Sequence, residues 1–441
     1  METQHFEALY PKDSYGKEIK KLHTYIKEGN SIQVIGLPGV GKSNLLKTLT
    51  YNKVVRSTQF NKGQEWIHFV YLNFAEIRER PLLDVTKFIF ISLLDSVAER
   101  QMTEVYEKLN QLFKEVLLFQ DELVLFQALK KAVDIIAIEN QLTIVLLFDR
   151  FEEYIPSVSN VFFSNLRVLR DRAKYRFSCV FAVNRPLEDV LDTSIIADFY
   201  EFIAGHSLFL PLYDNSVQSF RISYLEKTTG KKISHSQLVK VFELTGRHSK
   251  LTRICIEVCL EDEVKKDNLV EFLLKQPNVN GVLKEIWYAL TPAEQTHLKK
   301  MTSKDLPNDT HEFLILSGLI KENTIQIPLL KDYIKNLHKI GEETYFYNNT
   351  THIITNGQHN ISDLLTKAEF KLLKILLEHK DEIVDRNTII ATVWDENKST
   401  TGITDQALDQ LIFRLRKKIE ENVNLPKHII TIKGRGIRFN P

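Results

Sequence analysis

The chain has 441 residues, a length that usual domain sizes divide into two to four domains. With 43% hydrophobic and 26% charged residues, 16 Gly and 12 Pro, its composition excludes collagen-like, low-complexity and largely disordered proteins. The 58 basic and 57 acidic side chains leave a net charge of +1, so the chain as a whole lacks the basic excess of many nucleic-acid-binding proteins.

Sparse cysteines and the absence of export signals predict a soluble cytoplasmic protein. The three cysteines (Cys179, Cys255 and Cys259) do not form a disulfide framework, and no Cys/His spacing matches a zinc site. The first residues lack a basic-then-apolar secretion signal. The longest apolar runs, such as 144–148, are too short to span a membrane.

Strand and helix patterns alternate along the first half of the chain. Helices are predicted at 17–28, from Lys42, across about 83–139 in three stretches, and at 159–173. Strands are predicted at 31–35, 66–74, 143–148, 178–183 and 208–212. This alternation predicts a three-layer α/β domain with a parallel sheet at 1–213.

A phosphate-binding loop is predicted between the first strand and the helix that follows it. Residues 36–43 read GLPGVGKS and match G-x-x-x-x-G-K-[ST] in full. Glycines let backbone N–H groups converge on phosphates, and the helix N-terminus adds its positive end. Lys42 would reach the β- and γ-phosphates, and Ser43 would bind Mg²⁺. The predicted nucleotide-binding residues here are Gly36, Pro38, Gly39, Val40, Gly41, Lys42, Ser43 and Asn44.

Acidic and polar residues follow two later strands at the sheet edge where ligands bind. Asp149 ends an apolar strand and is predicted, with Ser43, to hold Mg²⁺. Glu152 or Glu153 would orient the attacking water, or both are solvated residues at a helix start. Asn184 is predicted to sense the γ-phosphate, with simple turn chemistry as the alternative.

Three arginines, Arg167, Arg170 and Arg172, lie on one predicted helix. One of them would serve as an arginine finger for a neighbouring subunit, or together they form a solvated basic face.

The order strand–GLPGVGKS–helix, then LLFDRFEEY, then VFAVNRP resembles the additional-strand P-loop ATPases over about residues 10–265. The sequence DRFEE at 149–153 is most similar to the corresponding segment of the STAND signalling NTPases, which are relatives of AAA+ and origin-recognition ATPases. Residues 15–18 (YGKE) resemble the segment that opens such modules near the adenine, with Lys17 in place of the usual Arg. Residues 244–251 resemble the TGGHPGLL stretch of the helical lid but lack its second Gly and its Pro. The resemblance implies ATP/ADP and Mg²⁺ as cofactors, Arg247 and His248 as nucleotide sensors, and a homo-oligomer in the ATP state. The alternative for His248 is a structural or solvated residue at a helix start.

Near the C-terminus, a predicted amphipathic helix has a polar and basic outer face. Its apolar stripe consists of Leu408, Leu411, Ile412, Leu415 and Ile419. Its opposite face carries Gln406, Gln410, Phe413, Arg414 and Lys417. Gln pairs with adenine, Arg with guanine, and Phe contacts a thymine methyl in the major groove. This helix is therefore predicted to read double-stranded DNA.

A short basic hairpin follows, with Lys433 and Arg435 at a Gly-Arg-Gly tip suited to phosphates or a narrow minor groove. Residues 411–441 carry eight cations and two anions, a net charge of +6.

Residues 345–441 resemble the OmpR/PhoB-type winged-helix effector domain. The similar segments are LTKAEFKLL (365–373), VW (393–394), IFRLRKKI (412–419) and TIKGRGIRF (431–439), with Ile437 where the family usually has Tyr. The resemblance implies that the helix containing Gln410 and Arg414 reads the major groove and that the wing touches the backbone. A winged helix used for protein contacts is the alternative.

The predicted architecture is an α/β P-loop NTPase core at 1–213, a helical lid at 214–282 and two winged helices at 283–342 and 343–441. The first of these winged helices has no basic cluster and is expected to be structural or regulatory. The predicted function is a nucleotide-switched, DNA-binding transcriptional regulator with slow ATP hydrolysis. The alternatives are a DNA-directed ATPase of an initiator, transposition or antiviral-defence system, and a protein-interaction scaffold with bound ADP.

Overall fold

The structure is a computed structural model. It describes residues 5–60, 64–261, 269–302, 311–339, 345–348, 352–356, 359–394, 405–420, 422–423, 425–432 and 434–440. The chain forms two compact units, each discontinuous in sequence. The first contains Met1–Ala289 and Phe313–Pro328, and the second contains Leu290–Glu312 and Leu329–Pro441.

A five-stranded parallel sheet forms the centre of the first unit, in the order β2-β3-β4-β1-β5. Its strands are β1 (Ile32–Ile35), β2 (Ile67–Asn73), β3 (Thr143–Asp149), β4 (Phe177–Val183) and β5 (Ser207–Phe209). Every residue of β4 is buried, as is expected for a parallel strand covered on both faces. The predicted α/β fold with a parallel sheet is confirmed, although β5 ends three residues earlier than predicted.

In the described residues up to 288, fourteen helices surround or extend this sheet. They are α1 (Gly16–Lys27), α2 (Lys42–Tyr51), α3 (Lys53–Phe60), α4 (Leu82–Glu99), α5 (Thr103–Leu117), α6 (Glu122–Val133), α7 (Asn160–Ala173), α8 (Leu187–Val190), α9 (Thr193–Ile203), α10 (Asn215–Thr229), α11 (His235–Thr245), α12 (Ser249–Glu261), α13 (Leu269–Lys275) and α14 (Pro277–Tyr288). Helices α1, α2, α4, α7 and α9 contact the sheet directly.

An aromatic cluster supports the carboxyl end of β3. The Phe151 ring, in the short turn that follows the strand, lies 5.0 Å from the rings of both Phe74 and Phe181. Phe151 is fully buried, so the turn that carries the two adjacent glutamates is anchored by its own first residue.

The chain enters the second unit with α15 (Pro292–Thr302) and returns to the first with α16 (Glu312–Leu316) and the hairpin of β6 (Ile320–Lys321) and β7 (Thr324–Ile325). This returning segment packs closely against the lid at Gly246, which has φ +56°. A Cβ atom there would lie 2.0 Å from the carbonyl oxygen of Gln326, so a side chain at Gly246 would push the two segments apart.

The second unit continues with α17 (Pro328–Lys339), and its described residues then form two small antiparallel sheets and three helices. In chain order these are β8 (Tyr345–Asn348), β9 (Ile353–Asn356), β10 (His359–Asn360), α18 (Lys367–Glu378), β11 (Ile383–Val384), α19 (Arg386–Trp394), α20 (Asp405–Ile419), β12 (Ile429–Ile432) and β13 (Gly436–Phe439). The sheets run β10-β9-β8 and β11-β13-β12 around one apolar core. No helix within the described part of the chain is long and apolar enough to cross a membrane.

Candidate nucleotide and nucleic-acid sites

The predicted phosphate loop leads from β1 into α2, which begins at Lys42. Gly39 and Gly41 have φ angles of +81° and +116°, in the region that favours glycine. A Cβ atom on Gly41 would meet the Tyr15 hydroxyl at 2.8 Å, and one on Gly39 would meet the Cβ of Lys250 at 2.7 Å. Both glycines are therefore needed for backbone shape and for close packing. No side chain caps the first turn of α2, which leaves its N–H groups for an anion.

Lys42 is buried within this loop. Its Nζ donates to the carbonyl oxygens of Gly36 (2.6 Å) and Leu37 (3.2 Å) and to Oδ1 of Asn184 (2.8 Å). Burial lowers the pKa of Lys42 to about 8, although the nearby carboxylates of Glu152 and Asp149 oppose that shift. Phosphate oxygens would supply the negative charge that favours this buried ammonium group. The structure thus brings together Lys42 at the start of α2 and Asn184, which directly follows β4.

The two predicted magnesium ligands also meet. The Ser43 hydroxyl donates to Oδ1 of Asp149 at 2.9 Å, and Asp149 is 2% exposed. Within the described residues there is no cluster of three or more His, Cys, Asp or Glu side chains suited to a metal. A hydroxyl and one carboxylate nevertheless suit Mg²⁺, which takes most of its remaining ligands from water and phosphate oxygens. The residues therefore fit a Mg²⁺-nucleotide at this edge of the sheet.

The two glutamates after β3 differ in their surroundings. Glu153 forms an ion pair with Arg78, whose Nη2 lies 2.8 Å from Oε1. Oε2 of Glu152 is buried and accepts no hydrogen bond from any described residue. Burial raises the pKa of Glu152, and the charge of Lys42 opposes the shift. Of the two predicted candidates, Glu152 has the environment of a group that binds or orients a polar ligand.

The lid contacts the phosphate loop through His248 and the residue two positions later. His248 is fully buried, and its Nδ1 accepts the Leu251 N–H at 3.2 Å. Nε2 therefore carries the ring proton and donates it to the Pro38 carbonyl at 2.9 Å. The Lys250 N–H adds a 3.0 Å bond to the Gly39 carbonyl. His248 and Lys250 thus each connect the lid to the loop by one direct hydrogen bond.

Arg247 is directed to other partners. Its guanidinium lies 4.2 Å from the Tyr213 ring centroid and 4.5 Å from that of Phe242, and its Nε donates to Gln218. None of these three residues belongs to the phosphate loop. The structure therefore brings His248, and not Arg247, into direct contact with the predicted phosphate site.

The three arginines of α7 are engaged within their own chain. Arg167 pairs with Asp171 and Glu201, Arg172 pairs with Asp134, and Arg170 lies 4.3 Å from the Phe202 ring centroid. These contacts favour the interpretation of a basic face over that of an arginine finger.

Several residues of the site were not predicted. Tyr71 on β2 donates to Oδ2 of Asp149 at 2.5 Å, and Arg78 binds Glu153. Arg221 on α10 donates to Oδ1 of Asn44 at 3.3 Å and to the Tyr10 hydroxyl at 2.9 Å. For Tyr71, the available signal was a polar ring near the end of the strand adjacent to β3; Arg78 and Arg221 carried none.

The predicted DNA-reading helix is α20, and its apolar stripe is buried throughout. Gln406, Gln410, Arg414 and Lys417 are exposed, and Phe413 is 47% exposed. The Lys417 ammonium lies 4.9 Å from the Phe413 ring centroid, a cation–π contact that keeps both side chains on the outer face.

The wing is the hairpin of β12 and β13. Arg435 is exposed in its turn, whereas Lys433 lies outside the described residues. Gly436 has φ +140°, and a Cβ atom there would lie 2.2 Å from the Val384 carbonyl oxygen. The turn is thus held against β11 while its arginine faces solvent.

Part of the C-terminal charge stabilises the fold. Arg416 donates to the Ile429 carbonyl at 2.7 Å, and Lys418 pairs with Glu369 at 2.6 Å. Glu420 is buried and accepts backbone N–H groups from residues 427–429. The cations that remain exposed for a partner therefore include Arg414, Lys417 and Arg435.

At the N-terminal end of α20, two acidic residues are bound by one arginine. Arg386, the first residue of α19, donates from Nε to Oδ1 of Asp405 at 2.7 Å and from Nη2 to Oδ1 of Asp409 at 2.8 Å. These carboxylates flank Gln406 and Gln410 on the exposed helix, so Arg386 offsets negative charge next to the predicted reading face.

Comparison with known proteins assigns the C-terminal part of the second unit to a protein family. Residues 363–439 match the family model described as "Transcriptional regulatory protein, C terminal". The C-terminal part of the chain is a winged-helix DNA-binding domain of the OmpR/PhoB type. Its relatives include the transcriptional activator protein IrlR of Burkholderia pseudomallei, 45% identical over 74 residues, or 17% of this chain and 30% of IrlR. The chain thus spans about 30% of the length of the curated relatives it matches.

Solved structures match this chain over different shares of its length. The RstA DNA-binding domain of Klebsiella pneumoniae, solved in complex with its RstA box, is 25% identical and covers 23% of this chain and 95% of its own, with a TM-score of 0.20. The Walker-type ATPase paby2304 of Pyrococcus abyssi is 12% identical and covers 74% of this chain and 97% of its own, with a TM-score of 0.44. The assignment of a P-loop ATPase fold to the first unit is based on the strand, loop and helix at residues 32–51 of this chain, not on these structures.

Proposed function

We propose that this chain is a nucleotide-switched, STAND-type ATPase that binds double-stranded DNA through its C-terminal winged helix and regulates transcription. The observation that carries the proposal is the presence of two assembled sites in one chain. In the first, Lys42, Ser43, Asp149 and Asn184 meet around a phosphate loop. In the second, α20 exposes Gln, Arg and Lys side chains on a transcription-regulator-type domain.

ATP or ADP with Mg²⁺ is the proposed cofactor. The buried ammonium of Lys42, the uncapped first turn of α2 and the two loop glycines suit a polyphosphate. Ser43 and Asp149 would hold Mg²⁺, which when bound neutralises phosphate charge and orients the phosphate chain. The protein's own contribution is to place Lys42, Asn184 and Glu152 around the terminal phosphate.

The proposed nucleotide switch is supported by contacts between the phosphate loop region and the two places where the chain leaves the first unit and returns to it, here called the chain crossings. Asn184, which binds Lys42, is followed directly by Arg185. The Nε of Arg185 donates to the Ala289 carbonyl at 3.3 Å, and its guanidinium lies 4.1 Å from the Phe313 ring centroid. Ala289 and Phe313 are the residues at which the chain leaves the first unit and returns to it. A shift of Asn184 on nucleotide binding would therefore act on both crossings through one side chain.

Binding of the protein to fragments of genomic DNA tests this function directly. Electrophoretic mobility shifts would be measured with ATP, ADP and no nucleotide, for the wild type and for Lys42→Ala. We expect affinity for a preferred fragment to differ between nucleotide states by about 5- to 150-fold, the usual range of allosteric coupling. Lys42→Ala should bind no nucleotide and show one affinity in all three conditions. Equal wild-type affinities in all three conditions would contradict a nucleotide switch.

A second candidate function is a DNA-directed ATPase of an initiator, transposition or antiviral-defence system. Oε2 of Glu152 favours it, because this buried oxygen lies near Lys42, has no hydrogen-bond partner among the described residues and is placed to orient an attacking water. Strong stimulation of ATP hydrolysis by DNA, together with assembly of a homo-oligomer in ATP, would favour this function over a regulatory switch. Slow hydrolysis unaffected by DNA would favour the switch.

A further inference from the structure

Hydrogen bonds hold both oxygens of the Asp149 carboxylate, and the bond to the second oxygen comes from a neighbouring strand. Oδ1 accepts the Ser43 hydroxyl at 2.9 Å and the Arg150 N–H at 3.0 Å. Oδ2 accepts the Tyr71 hydroxyl at 2.5 Å. Ser43 and Asp149 are the residues proposed to hold Mg²⁺, so Tyr71 acts on that site from the opposite side of the carboxylate.

The position of Tyr71 is set by the sheet. Strands β2 and β3 are parallel and paired over seven residues, with Tyr71 beside Leu147 and Asn73 beside Asp149. From two residues before the strand end, the phenol reaches the carboxylate on the next strand. The Lys47 ammonium of α2 lies 5.8 Å from the Tyr71 ring centroid, so the ring is held between α2 and β3. Its orientation is thereby restricted before any ligand binds.

The chemistry of the phenol suits a fixed donor. A tyrosine hydroxyl has an ordinary pKa of about 10, so it carries its proton at physiological pH and can donate to the carboxylate. A bond from a neutral hydroxyl to an ionised carboxylate is short and strong. Such a bond prevents the carboxylate from rotating and leaves Oδ1 facing Ser43.

We propose that Tyr71 is a positioning residue for magnesium: by occupying Oδ2 of Asp149 it holds Oδ1 toward Ser43 and the bound metal. This inference rests on the proposed nucleotide function. It gives Tyr71 no direct contact with nucleotide, so its effect should appear only when Mg²⁺ takes part in binding. A residue that merely packed β2 against α2 would affect nucleotide binding equally with and without the metal.

The test compares Tyr71→Phe with Tyr51→Phe. Tyr51 is a matched control, because its ring centroid lies 6.5 Å from that of Tyr71 and its hydroxyl is not among the donors to Asp149. Binding of the fluorescent analogue mant-ADP to the full chain would be measured in EDTA and over a series of Mg²⁺ concentrations. Thermal unfolding would establish that both variants are folded.

We expect Tyr71→Phe to raise the half-saturating Mg²⁺ concentration about tenfold or more, within the usual range for residues that orient metal ligands. Its affinity in EDTA should match the wild type, and Tyr51→Phe should match the wild type in both conditions. A Tyr71→Phe titration that superimposes on the wild type, or an equal loss with and without Mg²⁺, would overturn the inference and leave the proposed function intact. Absence of mant-ADP binding by the wild type would instead defeat the proposed function and this inference with it.

Discussion

Arg78 binds Glu153 at 2.8 Å and so separates the roles of two adjacent glutamates. Glu153 has a fixed cationic partner, whereas Glu152 has a buried oxygen without a hydrogen-bond partner in the described part of the chain. Two carboxylates that look equivalent in the sequence therefore differ in the one property that a water-orienting group requires, a free acceptor near the phosphate site.

Replacing each glutamate by glutamine should distinguish the role of Glu152 in ATP hydrolysis from that of Glu153. Glu152→Gln is expected to lower the rate of ATP hydrolysis by about 10²–10⁴-fold, the usual contribution of a general base, while mant-ADP affinity is retained. Glu153→Gln removes an ion pair at the surface and should change the rate by less than about threefold. Phosphate release under single-turnover conditions measures both. A larger loss in Glu153→Gln than in Glu152→Gln would reverse the assignment.

The buried imidazole of His248 predicts a pH dependence of stability. Burial lowers its pKa to about 4, whereas the unfolded chain takes up a proton near 6.5. The unfolded state thus binds more protons between these values, so the stabilisation is fully present above about pH 6.5 and is lost as the pH falls toward 4. From pH 7 to pH 5 the free energy of unfolding should fall by about 2 kcal/mol through this residue alone.

Urea unfolding of the wild type and of His248→Gln at pH 7 and pH 5 tests this expectation. Glutamine keeps an N–H donor for the Pro38 carbonyl but has no group that titrates in this range. The variant should lose about 2 kcal/mol less than the wild type between the two pH values. Identical pH dependence in the two proteins would show that His248 does not titrate as its burial indicates.

The exposed face of α20 should determine DNA affinity and its salt dependence. Replacing Arg414 by Ala is expected to cost about 1–3 kcal/mol on a preferred site if it pairs with a base. Replacing Lys417 by Ala should weaken binding to all sequences and lower the slope of log affinity against log salt by about one. Fluorescence anisotropy at several salt concentrations measures both effects.

Lys374→Ala provides a control for these two variants, because Lys374 lies on α18 and packs over the Tyr347 ring. It should leave both affinity and salt slope unchanged. If Arg414→Ala and Lys417→Ala behave like this control, the winged helix serves protein contacts and not DNA.

Arg386 should affect DNA binding through the two aspartates that it binds. Arg386→Met leaves Asp405 and Asp409 without their partner beside the reading face, so we expect DNA affinity to fall about tenfold or more through repulsion of phosphates. Adding Asp405→Asn and Asp409→Asn should restore most of the loss. A loss that the double replacement fails to restore would indicate damage to the domain itself, which circular dichroism of each variant would reveal.

Arg185→Met should uncouple nucleotide binding from DNA binding. The variant keeps Asn184 and the whole phosphate loop, so mant-ADP affinity should stay within about threefold of the wild type. The difference in DNA affinity between ATP and ADP should shrink by most of its value, because the contacts with Ala289 and Phe313 are lost. An undiminished difference in mobility-shift titrations would exclude this route of coupling.

The sequence predicted the parts of the proposed nucleotide site that depend on local order. The phosphate loop, Asp149 and Asn184 each follow a strand, and the ends of parallel strands meet at one sheet edge, so their proximity could be inferred. Tyr71 could not be assigned in this way, because its role depends on the register of β2 against β3. Arg78 and Arg221 are ordinary basic residues until the fold places them beside Glu153 and Asn44.

The fold of the C-terminal domain was predicted more completely, since an amphipathic helix shows its buried and exposed faces in its own periodicity. Charge counting was less informative there. The net charge of +6 for residues 411–441 counts Arg416, Lys418 and Glu420 as surface charges. In the structure, however, these three side chains bind partners within the domain. Only the distant residues 369 and 427–429 distinguish them from Arg414 and Lys417.

The return of residues 313–328 to the first unit has a consequence for synthesis of the protein. Gly246 of the lid packs against the carbonyl of Gln326, and the Phe209 ring lies 6.4 Å from that of Phe313. On a ribosome, the first unit therefore cannot complete its fold when residue 289 emerges; it must wait until residue 328 is free of the exit tunnel. Early termination anywhere between these positions would release an incompletely folded first unit, a natural substrate for chaperones and proteases.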